Sequence, residues 1–261
     1  MQILRRSIEF FRRHDWAAVA IELMVVVLGV FIGLQASNWN DARGEDRRAA
    51  VFTDRLRDDL REEAWGYEMQ VGYYSQVAAN ARRAADALAG RATLGDEALL
   101  VAAYRATQYN SNIRRRATYD ELTSTGEIGL IRDAGLRDLA MRVYTSPMFQ
   151  EIDQEGRHSQ YRHWFRLNID HEMQRRLSAA CGDREVTVGV FEEIPGSLDY
   201  PCDPALDESS VPAAVAILRK DPAALRLLRL RLADVETGLS NLTVFNRSLR
   251  TGLAGVAADR R

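Results

Sequence analysis

The chain has 261 residues, 46% of them hydrophobic and 28% charged, a composition that excludes wholesale disorder. Its formal net charge of −2 leaves no basic surplus of the kind found in nucleic-acid-binding domains, so no nucleic-acid partner is expected. Lys220 is the only lysine among abundant arginine and alanine, a bias typical of GC-rich bacterial genomes.

Residues 1–15 form a tail in which apolar and basic side chains alternate as in a short amphipathic helix. The apolar members are Ile3, Leu4, Ile8, Phe10 and Phe11, and the basic ones are Arg5, Arg6, Arg12 and Arg13. Such a tail suits the anionic inner leaflet of a bacterial membrane. We therefore expect residues 1–15 to be cytoplasmic.

Residues 16–39 are predicted to be a transmembrane helix. The run from Trp16 to Ala36 would extend about 31 Å, enough to cross a hydrocarbon core, and Trp16 and Trp39 mark its two interfaces. A buried core helix and a cleaved signal peptide are the alternatives. The second is disfavoured because Leu34-Gln35-Ala36 is a weak cleavage site and the apolar run exceeds a signal-peptide core.

The orientation follows from the distribution of arginine. The N-terminal tail carries a slight excess of arginine over the segment after the helix, and long domains are translocated largely regardless of charge. We therefore expect a single-pass protein of the bacterial inner membrane, with the domain at 40–261 in the periplasm.

One face of the predicted membrane helix collects Glu22, Val26, Gly29, Gly33 and Asn40. The spacing of Gly29 and Gly33 lets two helix backbones approach closely, and an unpaired carboxylate at Glu22 is costly inside a membrane. We favour a packed helix–helix interface with a second copy or another membrane protein. The alternative is that Glu22 turns towards the headgroups and the glycines are incidental.

Two motifs carry a resemblance to a known family. The first runs from Ile21-Glu22 to Phe31-Ile32-Gly33-Leu34-Gln35-Ala36-Ser37-Asn38-Trp39-Asn40-Asp41, and the second covers 118–131 (TYDELTSTGEIGLI) and 136–139 (LRDL). They resemble a widespread bacterial family of single-pass membrane proteins of unknown function, with an IALQxNNWNE-like helix end and a TYxELxSTGxLxLI-like segment. The likeness covers about the first 145 residues and departs at Ala36-Ser37. It implies a membrane-anchored helical protein and supplies no catalytic residues.

The region 40–261 is predicted to be a mainly α-helical bundle with long helices. After a hydrophilic junction at 40–46, apolar steps of three and four residues predict one long helix from about Phe52 to Leu88, stopped by Gly90. Further helix starts are predicted at Asp96, with the helix reaching Tyr109, at a Thr118–Glu121 capping box, at Asp133 and at Ser146-Pro147.

Residues 181–210 are predicted to be a loop-rich insertion, because glycine, proline and acidic residues cluster there. The β-prone run at 186–191 leaves a short hairpin open. Cys181 and Cys202 lie at the start and near the end of this insertion. In an oxidising periplasm they are expected to form a disulfide if their Cα atoms come within about 7 Å, whereas a cytoplasmic domain would hold two separate thiols.

Asp221-Pro222 is predicted to open the last helix, whose apolar side chains follow near-heptad spacing from Leu225 to Val256. This stripe is either a coiled-coil surface for a partner or the inner face of a helix in its own bundle. We favour the second because the first long helix offers a matching stripe.

Little in the chain indicates chemistry. Glu151, Glu155 and His158 share one helical face and are a weak candidate for a metal site, while Arg114, Arg115 and Arg116 are a weak candidate for an anion site. We favour solvated surface charge for both, and expect no enzyme and no cofactor, because no catalytic, P-loop or dinucleotide motif occurs. The predicted function is a membrane-anchored interaction or accessory protein that assembles through its transmembrane helix. The alternative is a periplasmic sensor or ligand-binding bundle that signals through a partner.

Overall fold

The computed structural model describes residues 16–111, 114–206 and 209–259, with side chains from Val19 onward. The described residues form helices and connecting chain without any β-strand, which confirms the mainly α fold. The chain divides into two compact units, Met1–Thr53 and Asp54–Arg261. The amphipathic tail predicted at 1–15 lies outside the described residues.

Helix α1, Trp16–Leu88, contains 73 residues without interruption. The predicted start of the long helix at about Phe52 is wrong, because the hydrophilic junction at 40–46 is helical throughout and does not interrupt the helix. The junction contains no proline, and its single glycine, Gly44, costs a helix only about 1 kcal/mol. The predicted stop is confirmed: the chain turns at Gly90 with φ +70°, a conformation that residues with a Cβ rarely adopt.

The second unit continues with shorter helices. They are α2 Asp96–Arg105, α3 Ala117–Ser124, α4 Ala134–Thr145, α5 Met148–His158, α6 Gln160–Asn168, α7 His171–Cys181, α8 Val211–Lys220, α9 Pro222–Ser240 and α10 Arg247–Ala258. Single 3₁₀ segments occur at Ile128–Leu130 and Phe191–Gly196, and a π-helical turn, Asn241–Phe245, joins α9 to α10. The predicted single last helix is therefore two helices with a π turn between them.

Two of the predicted helix starts are confirmed by their caps. The Asp133 carboxylate accepts a hydrogen bond from the Leu136 N–H at 3.0 Å, and the Asp221 carboxylate accepts one from the Ala223 N–H at 2.8 Å. Helix α2 does begin at Asp96, but it ends at Arg105 rather than Tyr109, and Gly95 occupies its cap position.

The predicted capping box at Thr118 is wrong, because partners distant in sequence take its hydrogen bonds. The Thr118 N–H donates to Asp59 of α1 at 3.2 Å, and Glu121 forms an ion pair with Arg55 at 2.8 Å. Helix α3 begins at Ala117, with Arg116 rather than Thr118 at its cap position and without a side-chain cap.

The C-terminal helices hold the second unit together. Helix α9 packs on α5, α6 and α8, α2 packs on α7 and α8, and α10 packs on α4. The core shared by α1, α2 and α6 to α9 includes the aromatic side chains of Tyr161, Trp164 and Phe165. The near-heptad stripe is turned inwards, and its members Leu228, Val235, Leu242, Leu249 and Leu253 are buried. Its interpretation as the inner face of a bundle is confirmed.

The C-terminal helices also contact α1. The Tyr67 hydroxyl donates to the Leu242 carbonyl oxygen at 2.6 Å, and Arg250 pairs with Glu68 at 2.6 Å. The predicted loop-rich insertion follows α7. Its β-prone run at 186–191 forms no strand, and the only regular element among its described residues is the 3₁₀ turn Phe191–Gly196.

Candidate functional site

The predicted membrane segment presents an unpartnered apolar surface within its own unit. Its large apolar side chains are exposed, for example Leu23 at 65% and Phe31 at 57%. A Cβ added at Gly29 or Gly33 would meet nothing within 4 Å. Among the described residues, this is the one helix long and apolar enough to cross a membrane. Glu22 lies on the same exposed stretch, so all three predicted packing residues face open space.

Cys181 and Cys202 form a disulfide in the structure. Their Cα atoms are 5.4 Å apart, within the distance of about 7 Å that the prediction required. This disulfide restrains the segment between the two cysteines, and we call residues 183–201 of that segment the strap. Arg105 of α2, itself buried, holds both ends of this disulfide. It donates to the Cys181 carbonyl oxygen at 3.1 Å and to Cys202 Sγ at 3.4 Å, and it also donates to the Tyr200 carbonyl oxygen at 2.8 Å. Burial lowers the pKa of the Arg105 guanidinium, and Asp199 at 3.3 Å opposes that effect.

The strap lies along α1 and is fixed there mainly by Gln76. The Gln76 amide nitrogen donates to the Ile194 carbonyl oxygen at 3.0 Å, and its amide oxygen accepts from the N–H groups of Leu198 and Asp199. A Cβ on Gly72 would overlap with Cγ2 of Ile194, so the glycine allows this close approach. Closer to the N-terminus of α1, the Trp65 indole N–H donates to the Val190 carbonyl oxygen at 3.2 Å.

Between α1 and the strap lies a cleft of about 600 Å³. One wall comes from α1 and consists of Glu62, Glu63, Trp65, Met69 and Tyr73. The strap supplies Asp183, Arg184, Glu185, Val186 and Val188, and the remaining lining residues are Asn110, Ser111 and Arg115. The cleft is concave and mixes apolar with polar groups, as small-molecule sites do.

Among the lining residues, the buried Tyr73 hydroxyl donates to Asp183 at 2.6 Å. Burial raises the pKa of the Asp183 carboxyl, and the hydrogen bond from Tyr73 opposes this. Burial also raises the pKa of Glu63, whose carboxylate accepts hydrogen bonds from Arg114 Nε at 2.6 Å and the Arg115 N–H at 2.7 Å.

The three arginines considered as an anion site are all paired with carboxylates. Arg114 pairs with Glu63, Arg115 with Glu62 at 2.5 Å, and Arg116 with Asp120 at 2.8 Å. Arg114 also lies over the Phe149 ring at 4.6 Å from its centroid. The cluster therefore fastens residues 114–116 to α1 and to α3.

The weak metal candidate is not assembled. Glu155 forms an ion pair with the buried Arg231, while Glu151 and His158 are exposed. In the described ranges, no group of three or more histidine, cysteine, aspartate or glutamate side chains is arranged to hold a metal ion.

Sequence reasoning missed the cleft and the two buried arginines, Arg105 and Arg231. The cleft joins α1 to a segment more than a hundred residues later, and Arg105 and Arg231 look like ordinary helix arginines. Comparisons of the chain with models of protein families, with curated proteins and with solved structures find no match. The family resemblance drawn from the two motifs therefore stays a prediction.

Proposed function

We propose that this chain is a single-pass protein of the bacterial inner membrane that assembles through its transmembrane helix. Its helical domain would bind a partner in the periplasm. The observation that carries this proposal is the exposed apolar stretch of α1, with its open surface at Gly29 and Gly33. An apolar helix of this length is stable in lipid, and small residues on one face permit close packing with a second helix.

The topology is tested with reporter fusions to the C-terminus. A periplasmic domain predicts an active alkaline phosphatase fusion and a dark fluorescent-protein fusion. The opposite pair of results would overturn the localisation.

The assembly is tested with Gly33→Ile in a membrane two-hybrid assay, against a second copy of the chain and against co-purifying membrane proteins. The larger side chain should block backbone approach and weaken association. Val27→Ile is the control, because Val27 lies in the same exposed stretch but away from the Gly29 and Gly33 face. If both variants associate like wild type, the interface does not exist.

A second candidate function is a ligand-binding bundle that signals through a partner. The cleft between α1 and the strap favours it, since its volume of about 600 Å³ suits a small molecule and its lining combines apolar and polar groups. The two candidates are compatible, because the membrane helix and the cleft use different residues.

A further inference from the structure

We propose that the cleft binds a small organic cation, an ammonium or guanidinium group on an apolar stem. This inference rests on the second candidate function and specifies its ligand class. The cleft combines an excess of negative charge, an apolar wall that includes an indole, and polar groups with no partner of their own.

The charge balance of the lining favours a cation. Four lining side chains are carboxylates (Glu62, Glu63, Asp183 and Glu185) and two are guanidinium groups (Arg115 and Arg184). Glu63 is also paired with Arg114, and with that arginine counted the carboxylates still outnumber the guanidinium groups by one. Both arginines are already engaged: Arg115 pairs with Glu62, and Arg184 lies over the Tyr200 ring at 3.4 Å from its centroid. They are therefore poorly placed to receive an anion.

Two carboxylates of the strap carry the excess charge. Neither Asp183 nor Glu185 has an ion pair with any residue in the described parts of the chain. Asp183 accepts a hydrogen bond only from the neutral Tyr73 hydroxyl. Burial raises the pKa of its carboxyl, whereas that hydrogen bond and the positive charge of Arg162 lower it. A ligand cation beside them would form charge-assisted hydrogen bonds, which are stronger than those between neutral groups.

The wall supplied by α1 suits the stem of the ligand. Trp65 and Met69 of α1 supply apolar area, and the hydrogen bond to Val190 fixes the Trp65 ring in place. An indole face attracts a cation, so Trp65 would contribute to affinity for the charged end as well as for the stem.

Further polar groups are available to a bound ammonium or guanidinium group. The side chains of Asn110 and Ser111 line the cleft and form no hydrogen bond with the described residues. An amide oxygen and a hydroxyl oxygen accept hydrogen bonds, which a cationic N–H donor would supply.

The test uses the full chain in lipid nanodiscs and three probes that share one aromatic body: phenethylamine, 2-phenylethanol and phenylacetate. Binding is measured by titration calorimetry and by tryptophan fluorescence, with empty nanodiscs titrated in parallel to subtract partitioning. We expect saturable binding of phenethylamine and affinity at least about tenfold lower for the neutral and anionic probes, the difference that one charge-assisted contact makes.

Two matched variants locate the site. Glu185→Gln removes an exposed cleft carboxylate and should weaken phenethylamine binding about tenfold, whereas Glu192→Gln changes an exposed strap carboxylate outside the cleft and should leave binding unchanged. Equal affinity for the three probes would leave a ligand-binding cleft but overturn the cation class. Absence of binding, or equal effects of the two variants, would overturn the proposal without touching the assembly of the membrane helix.

Discussion

Arg231 buries a guanidinium group in the middle of the second unit. It lies on α9 with 1% of its surface exposed, donates to the Ala106 carbonyl oxygen at 3.2 Å and the Gln108 carbonyl oxygen at 2.8 Å, and pairs with Glu155. Those two carbonyl groups follow the end of α2 at Arg105, where backbone acceptors lack helical partners. The Arg231 side chain thus satisfies carbonyl groups at the C-terminal end of α2 and neutralises the Glu155 carboxylate on α5.

Arg231→Ala is expected to lower the free energy of unfolding by about 3–5 kcal/mol, because it leaves a partly buried carboxylate and two carbonyl groups without their donor. Arg82→Ala is the control. Arg82 also pairs with a glutamate, Glu236 of α9, but both side chains of that pair are exposed, so the loss should stay within about 1 kcal/mol. Urea denaturation in mild detergent measures both, and equal losses would contradict the role assigned to Arg231.

The disulfide between Cys181 and Cys202 is testable by counting free thiols. Protein extracted under acid trapping should show no alkylatable thiol when denatured without reductant and two after reduction. Replacing both cysteines by serine should cost about 3 kcal/mol of stability, mainly through the freedom returned to the unfolded chain. Two reactive thiols in the unreduced sample would rule out the disulfide and would also count against a periplasmic domain.

The strap is the element whose position depends on a single glycine. Ile194 is buried against α1 at Gly72, and a Cβ at that position would overlap with its Cγ2 atom. The hydrogen bonds from Gln76 hold the strap at the same level of α1. Glycine has a lower helix propensity than alanine, but at position 72 it allows this contact with Ile194.

Gly72→Ala is expected to destabilise the second unit by about 1–3 kcal/mol, the usual cost of overpacking, despite the higher helix propensity of alanine. In an Ile194→Ala background, Gly72→Ala should cost less than it does in the wild type, because alanine at position 194 lacks the Cγ2 atom. Gly255→Ala is the matched control: that helical glycine has open space around it, and the change should be neutral or stabilising. A stabilising effect of Gly72→Ala in the same denaturation assay would show that the strap does not sit against α1.

At the scale of the whole molecule, the tyrosines report on the integrity of the core. Burial raises the pKa of six of the nine tyrosines, that of Tyr67 to about 12. The other five are Tyr73, Tyr74, Tyr104, Tyr144 and Tyr161. An unfolded phenol ionises near pH 10, so above that pH the unfolded state releases protons that the folded state retains. Stability present below pH 10 should therefore fall as the pH rises towards 12.

A spectrophotometric alkaline titration checks this expectation. The absorbance change of about six phenols should coincide with the loss of helical circular dichroism, and Tyr67→Phe should reduce the fall in stability between pH 10 and about 12. Ionisation of all nine tyrosines in one step near pH 10, with the helical signal intact, would contradict the burial of these side chains.

Local chemistry made part of the fold predictable. The caps at Asp133 and Asp221 follow from residue type and position, and the inward stripe of α9 and α10 follows from periodicity. The continuity of α1 through 40–46 was missed because a polar stretch without proline looks like a junction and is equally compatible with a helix. The capping box at Thr118 was predicted from local pattern, but the distant Asp59 and Arg55 determined the outcome.

The cleft could not be predicted, because its parts are brought together only by tertiary contacts. Tyr73 and Asp183 are 110 residues apart, and no local pattern joins them. Arg105 and Arg231 donate hydrogen bonds to backbone carbonyl groups. Every residue has such a group, so the amino-acid sequence does not indicate which of them an arginine will bind. The π turn between α9 and α10 likewise depends on how the chain packs rather than on any proline or glycine within it.

The long-range bonds of α1 have a consequence for synthesis. The Tyr67 hydroxyl bonds to a carbonyl group 175 residues later, and Glu68 pairs with an arginine 182 residues later. During translation this part of α1 therefore lacks both partners until residues 242–250 have been synthesised. Chains that stop before Asn241 would lack these partners. We expect them to be degraded rather than to accumulate as smaller stable domains, so a stop codon shortly before position 241 should be as damaging as one near the start of the second unit.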